Sequence, residues 1–297
     1  MIRRVLLAAL AASLVLVAAA QTVGAASTST LYGSYNLPCG VCTGTTASLA
    51  TVNVGTGSAT TVGTLPFSTN PNGPGVTEIV CQPNATSAAT AICYAQAAAG
   101  TDSISQFNLS TGAAIGTPVA DNFSFNGLAY VGSTLYGASS NNGNSPFSLR
   151  TLNPVTGTSV DIGLTGISEP ITGLAWNGTT MYGIEGSVSS ANLYTINLTT
   201  GHATLVGPTG FSAGSLQFGP DGNLYEGGDA GNHGHLYRVN QTTGAGTLVG
   251  ASGYPITTDP NGPGLTGLAL VTFSNPAPPP PTPPASVAIT VTPSFTG

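Results

Sequence analysis

Three groups of side chains in this sequence have types and spacing suited to chemistry. Cys39-Gly-Val-Cys42 has the gap of a redox dithiol, although that chemistry needs a helix N-terminus or similar setting to hold the thiolate. Asp229, His233 and His235 lie in Gly-Asp-Ala-Gly-Asn-His-Gly-His, where two imidazoles on one side of an extended segment suit a divalent metal. Glu78 is a single carboxylate inside an apolar run, able to coordinate a cation or to accept hydrogen bonds from a ligand's hydroxyls. Plainer readings compete with the first two: a local Cys39–Cys42 disulfide between strands, and a flexible polar loop that holds two of the three histidines. A serine hydrolase would need one of these histidines as its base and a Gly-x-Ser-x-Gly elbow for its nucleophile, and no such elbow is expected here.

The elements that must position these groups are marked by Asn-x-x-Thr-Gly, which occurs at Asn53–Gly57, Asn108–Gly112, Asn153–Gly157, Asn197–Gly201 and Asn240–Gly244. The last four copies are 43 to 45 residues apart, the period of a repeat architecture. Each unit holds apolar runs of four to six residues, alternating or rich in β-branched and aromatic types, bounded by Gly, Asn, Thr or Pro. Four short strands per repeat follow from that pattern. The phrase itself joins the third strand to the fourth. Its Asn can bond backbone amides two residues on, and its Gly can take positive φ.

Alignment of the copies places first strands at Thr77–Cys81, Gly127–Tyr130, Gly173–Trp176, Ser215–Phe218 and Gly267–Leu270. Second strands carry Tyr32, Tyr94, Tyr136, Tyr182 and Tyr225, and third strands end at the five Asn residues. Fourth strands include Thr60–Gly63, Val160–Gly163, Thr204–Gly207 and Thr247–Gly250, with a weaker copy at Ala114–Pro118. The order is circularly shifted: the chain opens on a second strand at Leu31-Tyr32-Gly33 and closes on a lone first strand, Leu265–Val271. The expected fold is all-β, a five-bladed β-propeller of four-stranded blades, closed by Leu265–Val271 against the N-terminal blade so that no sheet edge stays open.

Leu193–Gly207 and Leu236–Gly250 both follow Leu-Tyr-x-Ile-Asn-x-x-Thr-Gly-x-x-Thr-x-Val-Gly, the second with Val239 at the Ile position. By these repeats, over residues 30 to 272, the chain resembles secreted bacterial β-propeller families of unassigned function. The resemblance implies the fold and is nearly silent on chemistry, because propellers host binding modules, lyases, hydrolases and scaffolds alike.

Composition and the chain ends bound the function. Residues 1–26 read as a signal peptide, with Arg3 and Arg4 ahead of an apolar stretch from Val5 to Ala20 and small residues at Gly24-Ala25-Ala26. Residues 27–273 form the propeller, 274–285 a Pro-rich linker, and 286–297 a disordered tail or the first strand of a truncated C-terminal module. Charged residues are 5% of the chain, and outside the leader only Arg150 and Arg238 oppose ten carboxylates. Nucleic acid is therefore excluded as a partner, as is an anionic membrane surface once the signal is removed. The expected product is a secreted monomer, extracellular or associated with the cell envelope, with no cofactor.

The repeat register sharpens the candidates. Cys81 stands where other blades have Tyr130, Trp176 and Phe218, and Cys93 where they have Leu135, Met181 and Leu224, so the two face each other across the first hairpin and are expected to form a disulfide. Glu78 takes a mouth position of the central channel that is Gly127, Gly173, Ser215 and Gly267 elsewhere, and its ordinary role is a solvated charge there. Glu185, Glu226 and Asp229 follow second strands and read as surface residues. Glycoside hydrolysis needs two positioned carboxylates, and the alignment offers one. Two function classes result. A non-enzymatic binding module predicts loop aromatics such as Tyr35, Phe67, Phe147, Phe211 and Tyr254 on one rim, facing a glycan or protein. The alternative, an extracellular hydrolase or lyase, predicts titratable groups converging on Glu78 at the channel mouth.

Overall fold

Short runs of β-branched and aromatic residues, punctuated by glycine and asparagine, fold into twenty strands in a computed structural model. It describes residues 27–36, 47–65, 76–97, 102–121, 123–141, 144–186, 190–228, 234–253 and 264–274, and every regular element among them is a strand. Blade 1 contains β1 (Thr28–Asn36), β2 (Ala47–Val52) and β3 (Ala59–Leu65). Blade 2 is β4 (Val76–Cys81), β5 (Cys93–Ala97), β6 (Ser103–Phe107) and β7 (Ala114–Ala120). Blade 3 follows as β8 (Ser124–Val131), β9 (Thr134–Asn141), β10 (Asn144–Leu152) and β11 (Ser159–Leu164). Blade 4 is β12 (Ile171–Trp176), β13 (Met181–Glu185), β14 (Asn192–Ile196) and β15 (Ala203–Pro208). Blade 5 is β16 (Ala213–Phe218), β17 (Leu224–Gly228), β18 (Leu236–Val239) and β19 (Gly246–Gly250), and the last strand is β20 (Leu265–Phe273).

Each blade is an antiparallel meander, and β20 is the innermost strand of blade 1, in the order β20-β1-β2-β3. Its register runs from Thr28 opposite Phe273 to Tyr35 opposite Leu265. The end of β20 is also held by the long β4–β5 hairpin, where the Ser274 amide donates to the Ala85 carbonyl at 2.9 Å. Inner strands β4, β8, β12, β16 and β20 each touch the next, closing a ring of five blades. The fold is the five-bladed propeller that the repeats imply. The fourth strand of blade 2 runs two residues further than its sequence copy suggested, to Ala120.

The hydrophobic core lies between blades, in five wedges. Leu49, Ile79 and Phe107 anchor the wedge between blades 1 and 2, Ile104, Phe125 and Leu128 the next, and Leu149, Ile171 and Leu174 the third. Ile184, Leu193 and Leu216 fill the fourth, and Tyr35, Leu236 and Leu265 the wedge that closes the ring. Because both faces of a blade meet a neighbour, middle strands such as β5, β13 and β17 are buried throughout. At the third-to-fourth turns, Asn197 Oδ1 accepts the Thr199 and Thr200 amides at 2.8 and 3.1 Å, and Gly201 has φ +77°. The other four copies share that Asn cap and a glycine φ between +72° and +80°.

Candidate functional site at the channel mouth

Strand alternation brings one end of every blade to the same rim. In blade 2, Val76 pairs with Ala97, Ala97 with Ser103, and Ser103 with Ala120. First strands begin there, fourth strands end there, and the connections from second to third strands leave from there. The inner strands converge so closely at this mouth that side chains have little room. A Cβ on Gly173 would lie 2.3 Å from the Leu216 nitrogen, and one on Gly267 2.6 Å from the Ile79 nitrogen. Threonines one residue earlier tie blade to blade. Thr266 Oγ1 donates to the Val76 carbonyl at 2.7 Å, Thr77 Oγ1 to Phe125 at 3.2 Å, and Thr172 Oγ1 to Ala213 at 3.4 Å. Ser215 Oγ completes a fourth link, donating to Leu265 at 2.9 Å.

Glu78 occupies the fifth mouth position and is fully buried, not solvated. Its side chain enters the crevice between inner strands because glycine clears the neighbouring positions. Oε1 accepts the Ile79 amide at 3.0 Å and the Leu268 amide at 3.1 Å, while Oε2 has no hydrogen-bond partner. Burial holds the carboxyl well above its ordinary range, opposed by the amides of Ile79, Leu268 and Leu128. These donors come from three successive inner strands. A ring of N–H groups suits a carboxyl acceptor, whereas a cation at Oε1 would press against the positive ends of their dipoles.

A second acidic group lies on the same rim and was missed in the sequence. Asp121 follows β7 and is buried; Asp102 precedes β6 and is partly buried. The Asp121 amide donates to the Asp102 carbonyl at 3.1 Å. Burial pushes the Asp121 carboxyl up to about 6, with the nearby Asp102 charge adding to the rise. Gln96 and the Phe123 amide approach the carboxyl and oppose the shift, outside the geometry of a well-formed hydrogen bond. Asp102 is also raised, by burial, against a hydrogen bond from Ser124. Asp102 and Asp121 are 19 residues apart and flank a turn phrase, so repeat alignment assigns them to loop ends; only the β6–β7 pairing shows that they meet.

Other expectations need correction. Glu185 and Glu226 are buried, not superficial. Glu185 ends β13 and accepts from Tyr194 Oη at 2.8 Å and from Asn192 Nδ2. Glu226 stands where the other second strands carry Gly33, Ala95, Gly137 and Gly183, opposite Leu216. Tyr35 and Phe147 are not rim aromatics: both are strand residues, Tyr35 fully buried between blades 5 and 1 and Phe147 nearly so. Phe211 is partly exposed and stacks on Tyr237 at 3.8 Å. His235 is partly exposed, with its ring 6.4 Å from that of Tyr237. Cys39, Cys42, Phe67, Asp229, His233 and Tyr254 lie outside the described residues, among which no cluster of three or more metal-ligating side chains occurs.

Cys81 and Cys93 form a disulfide across the first hairpin of blade 2, with Cα atoms 4.0 Å apart. A Gly-x-Ser-x-Gly string does occur, at Gly210–Gly214, against the expectation of none. Its Ser212 is buried, and strand β16 follows where a nucleophile elbow requires a helix. No described helix is long and apolar enough to cross a membrane.

No family model matches this chain, and no curated protein matches it. Among solved structures, a chain of a nidogen–laminin complex is similar at 10% identity and TM-score 0.47, over 82% of this chain and 98% of that one. A chain of Kuenenia stuttgartiensis hydrazine synthase is similar at 14% identity and TM-score 0.40, over 60% of this chain. That match spans about half of the hydrazine synthase chain, 49%.

Proposed function

We propose that this protein is a secreted, non-enzymatic binding module that takes an extracellular or envelope glycan or protein on its propeller surface. The observation that carries this reading is the enclosure of Glu78. The carboxylate best placed to do chemistry at the channel mouth is sealed from solvent and engaged by backbone amides. General acid–base catalysis needs a titratable group within reach of a substrate proton, and Glu78 offers none. A charge-poor surface, a leader-like N-terminus and a disulfide agree with an extracellular setting. Loops carried on a rigid scaffold are where binding residues collect.

The second reading, a hydrolase or lyase, is favoured by one observation, the neighbouring Asp102 and Asp121 with a carboxyl that titrates near 6. The test is a screen of the purified mature protein against polysaccharide, ester and peptide substrates, run alongside binding assays on the same panel and on envelope proteins. Binding without turnover is the expected result. Turnover abolished by Asp121→Asn or Asp102→Asn would replace this reading with the enzymatic one.

A further inference from the structure

At the end of the blades away from the Glu78 mouth, the same surface groove is built twice. In blade 4 a hollow of about 420 Å³ lies between Trp176 at the end of β12, the turn residues Thr179 and Thr180, Thr195 on β14, and Asn197 of the turn phrase. Blade 3 has a hollow of about 400 Å³ at the equivalent places, with Tyr130 for Trp176, Thr134 for Thr180, Thr151 for Thr195 and Asn153 for Asn197. Blade 5 has a smaller hollow of about 300 Å³ at the same turns, with Asn223, Arg238, Asn240 and Thr247, but its aromatic position, Phe218, is buried and does not line it. The equivalence is one of register: Tyr130 pairs with Leu135 as Trp176 pairs with Met181. In blade 2 the aromatic position is Cys81, committed to the disulfide.

We infer that the blade 3 and blade 4 grooves are equivalent subsites for one polysaccharide chain of uncharged sugars, a proposal that rests on the binding-module reading and moves the ligand from the loop rim to the blade ends. Trp176 and Tyr130 are half-buried: Trp176 packs against the wedge between blades 3 and 4, and Tyr130 against that between blades 2 and 3. Such a ring offers a flat apolar platform of the kind that takes the C–H face of a sugar. Around it stand hydroxyl and amide groups. Asn197 Oδ1 and Asn153 Oδ1 are spent on their own turns, which leaves each Nδ2 as the donor for a ligand. Gln82 adds an amide beside Tyr130, its Nε2 3.5 Å from the phenol oxygen. The blade 3 and blade 4 grooves hold no charged side chain and the blade 5 groove holds only Arg238, so an uncharged hydroxylated ligand fits better than an acidic or basic peptide. A site repeated on adjacent blades suits a ligand that itself repeats, because linked weak subsites multiply into avidity.

Trp176 is the only tryptophan in the chain, so the intrinsic emission of the protein reports on the blade 4 groove. The test titrates the mature protein with dextran, mannan and a soluble β-glucan, reading tryptophan emission and retardation in affinity electrophoresis. Retardation by at least one polymer with a change in emission is expected. Tyr130→Ala, Trp176→Ala and Thr195→Ala should each weaken retardation about tenfold or less, and Tyr130→Ala with Trp176→Ala together by more than a hundredfold, measured at a temperature where each variant is folded, since both rings also pack against a wedge. Retardation with unchanged emission and no effect of these substitutions would overturn the groove assignment and leave the binding module standing. Failure of all three polymers to bind, with a protein ligand found instead, would also overturn the groove assignment. No ligand of any class would overturn both.

Discussion

The carbonyl of Gly163, near the end of the outer strand of blade 3, lies against Gly201 in the turn phrase of blade 4, so that a Cβ on Gly201 would sit 2.3 Å from the Gly163 oxygen. The contact recurs around the ring. Gly244 meets Gly207, Gly57 meets Gly250, and Gly112 meets the Gly63-Thr64 pair. Between blades 2 and 3 the partner of Gly157 is the Ala120 carbonyl. The two glycine signatures of the repeat, Thr-Gly and Val-Gly, are thus halves of one latch between neighbouring blades.

The latch predicts a cost beyond backbone strain. Gly132 also has positive φ, +60°, but open space around its missing Cβ, so Gly132→Ala should cost roughly 1–2 kcal/mol, the ordinary penalty for alanine in that conformation. Gly201→Ala carries that penalty and the clash with Gly163, and should cost about 2 kcal/mol more, as overpacking does. Equal losses in denaturant unfolding would show that the latch contributes nothing.

Ring closure depends on β20. Deleting residues from Leu265 onward removes the inner strand of blade 1, exposes the edge of β1 and strips β4 and β16 of the strand packed between them. The truncated protein should lose cooperative unfolding or melt at least about 10 °C lower, since a few kcal/mol shifts a domain of this size by roughly that much. An unchanged melting curve would mean that blade 1 is stable without it.

Glu78 should behave as a carboxyl whose neutral form the fold favours. Its folded pKa is raised, so the stability it contributes is complete below its ordinary value and declines as pH rises through the folded value. Glu78→Gln keeps an acceptor for the Ile79 and Leu268 amides and removes the titration. This variant should match or exceed the parent at pH 8. Glu78→Ala leaves both amides without an acceptor and should cost about 1–3 kcal/mol. Thermal melts at pH 5 and pH 8 separate the three proteins, and a Gln variant less stable than the parent at pH 8 would show that the amides hold the carboxyl below its ordinary range and not above it.

Asp121 gives a second, narrower window. With its carboxyl pushed up to about 6, the parent should lose stability as pH rises from about 4 to 6 and then level off. Asp121→Asn should flatten that step and, at pH 7, gain on the order of 1–2 kcal/mol after allowance for solvent screening at the rim. A step of unchanged size in the variant would assign it to another group.

What the sequence determined by itself was local or periodic. Strand alternation, the Asn-capped turn with its positive-φ glycine, the circular shift that sends Leu265–Val271 back to the first blade, and the meeting of Cys81 with Cys93 are all readable, because each follows from a period of two, a turn or a register between adjacent strands. What only the tertiary structure decided lies between blades. Whether Glu78 meets water or the amides of Leu268 and Leu128, whether Tyr35 is a rim aromatic or part of the closing wedge, and whether Glu226 is a surface charge or a buried one all depend on how far one sheet is rotated and pressed against the next. Asp102 and Asp121 meet because β6 and β7 end side by side. That packing is set by the summed volumes and backbone clearances of residues far apart in the chain, 190 positions for Glu78 and Leu268, and no short stretch of chain encodes it.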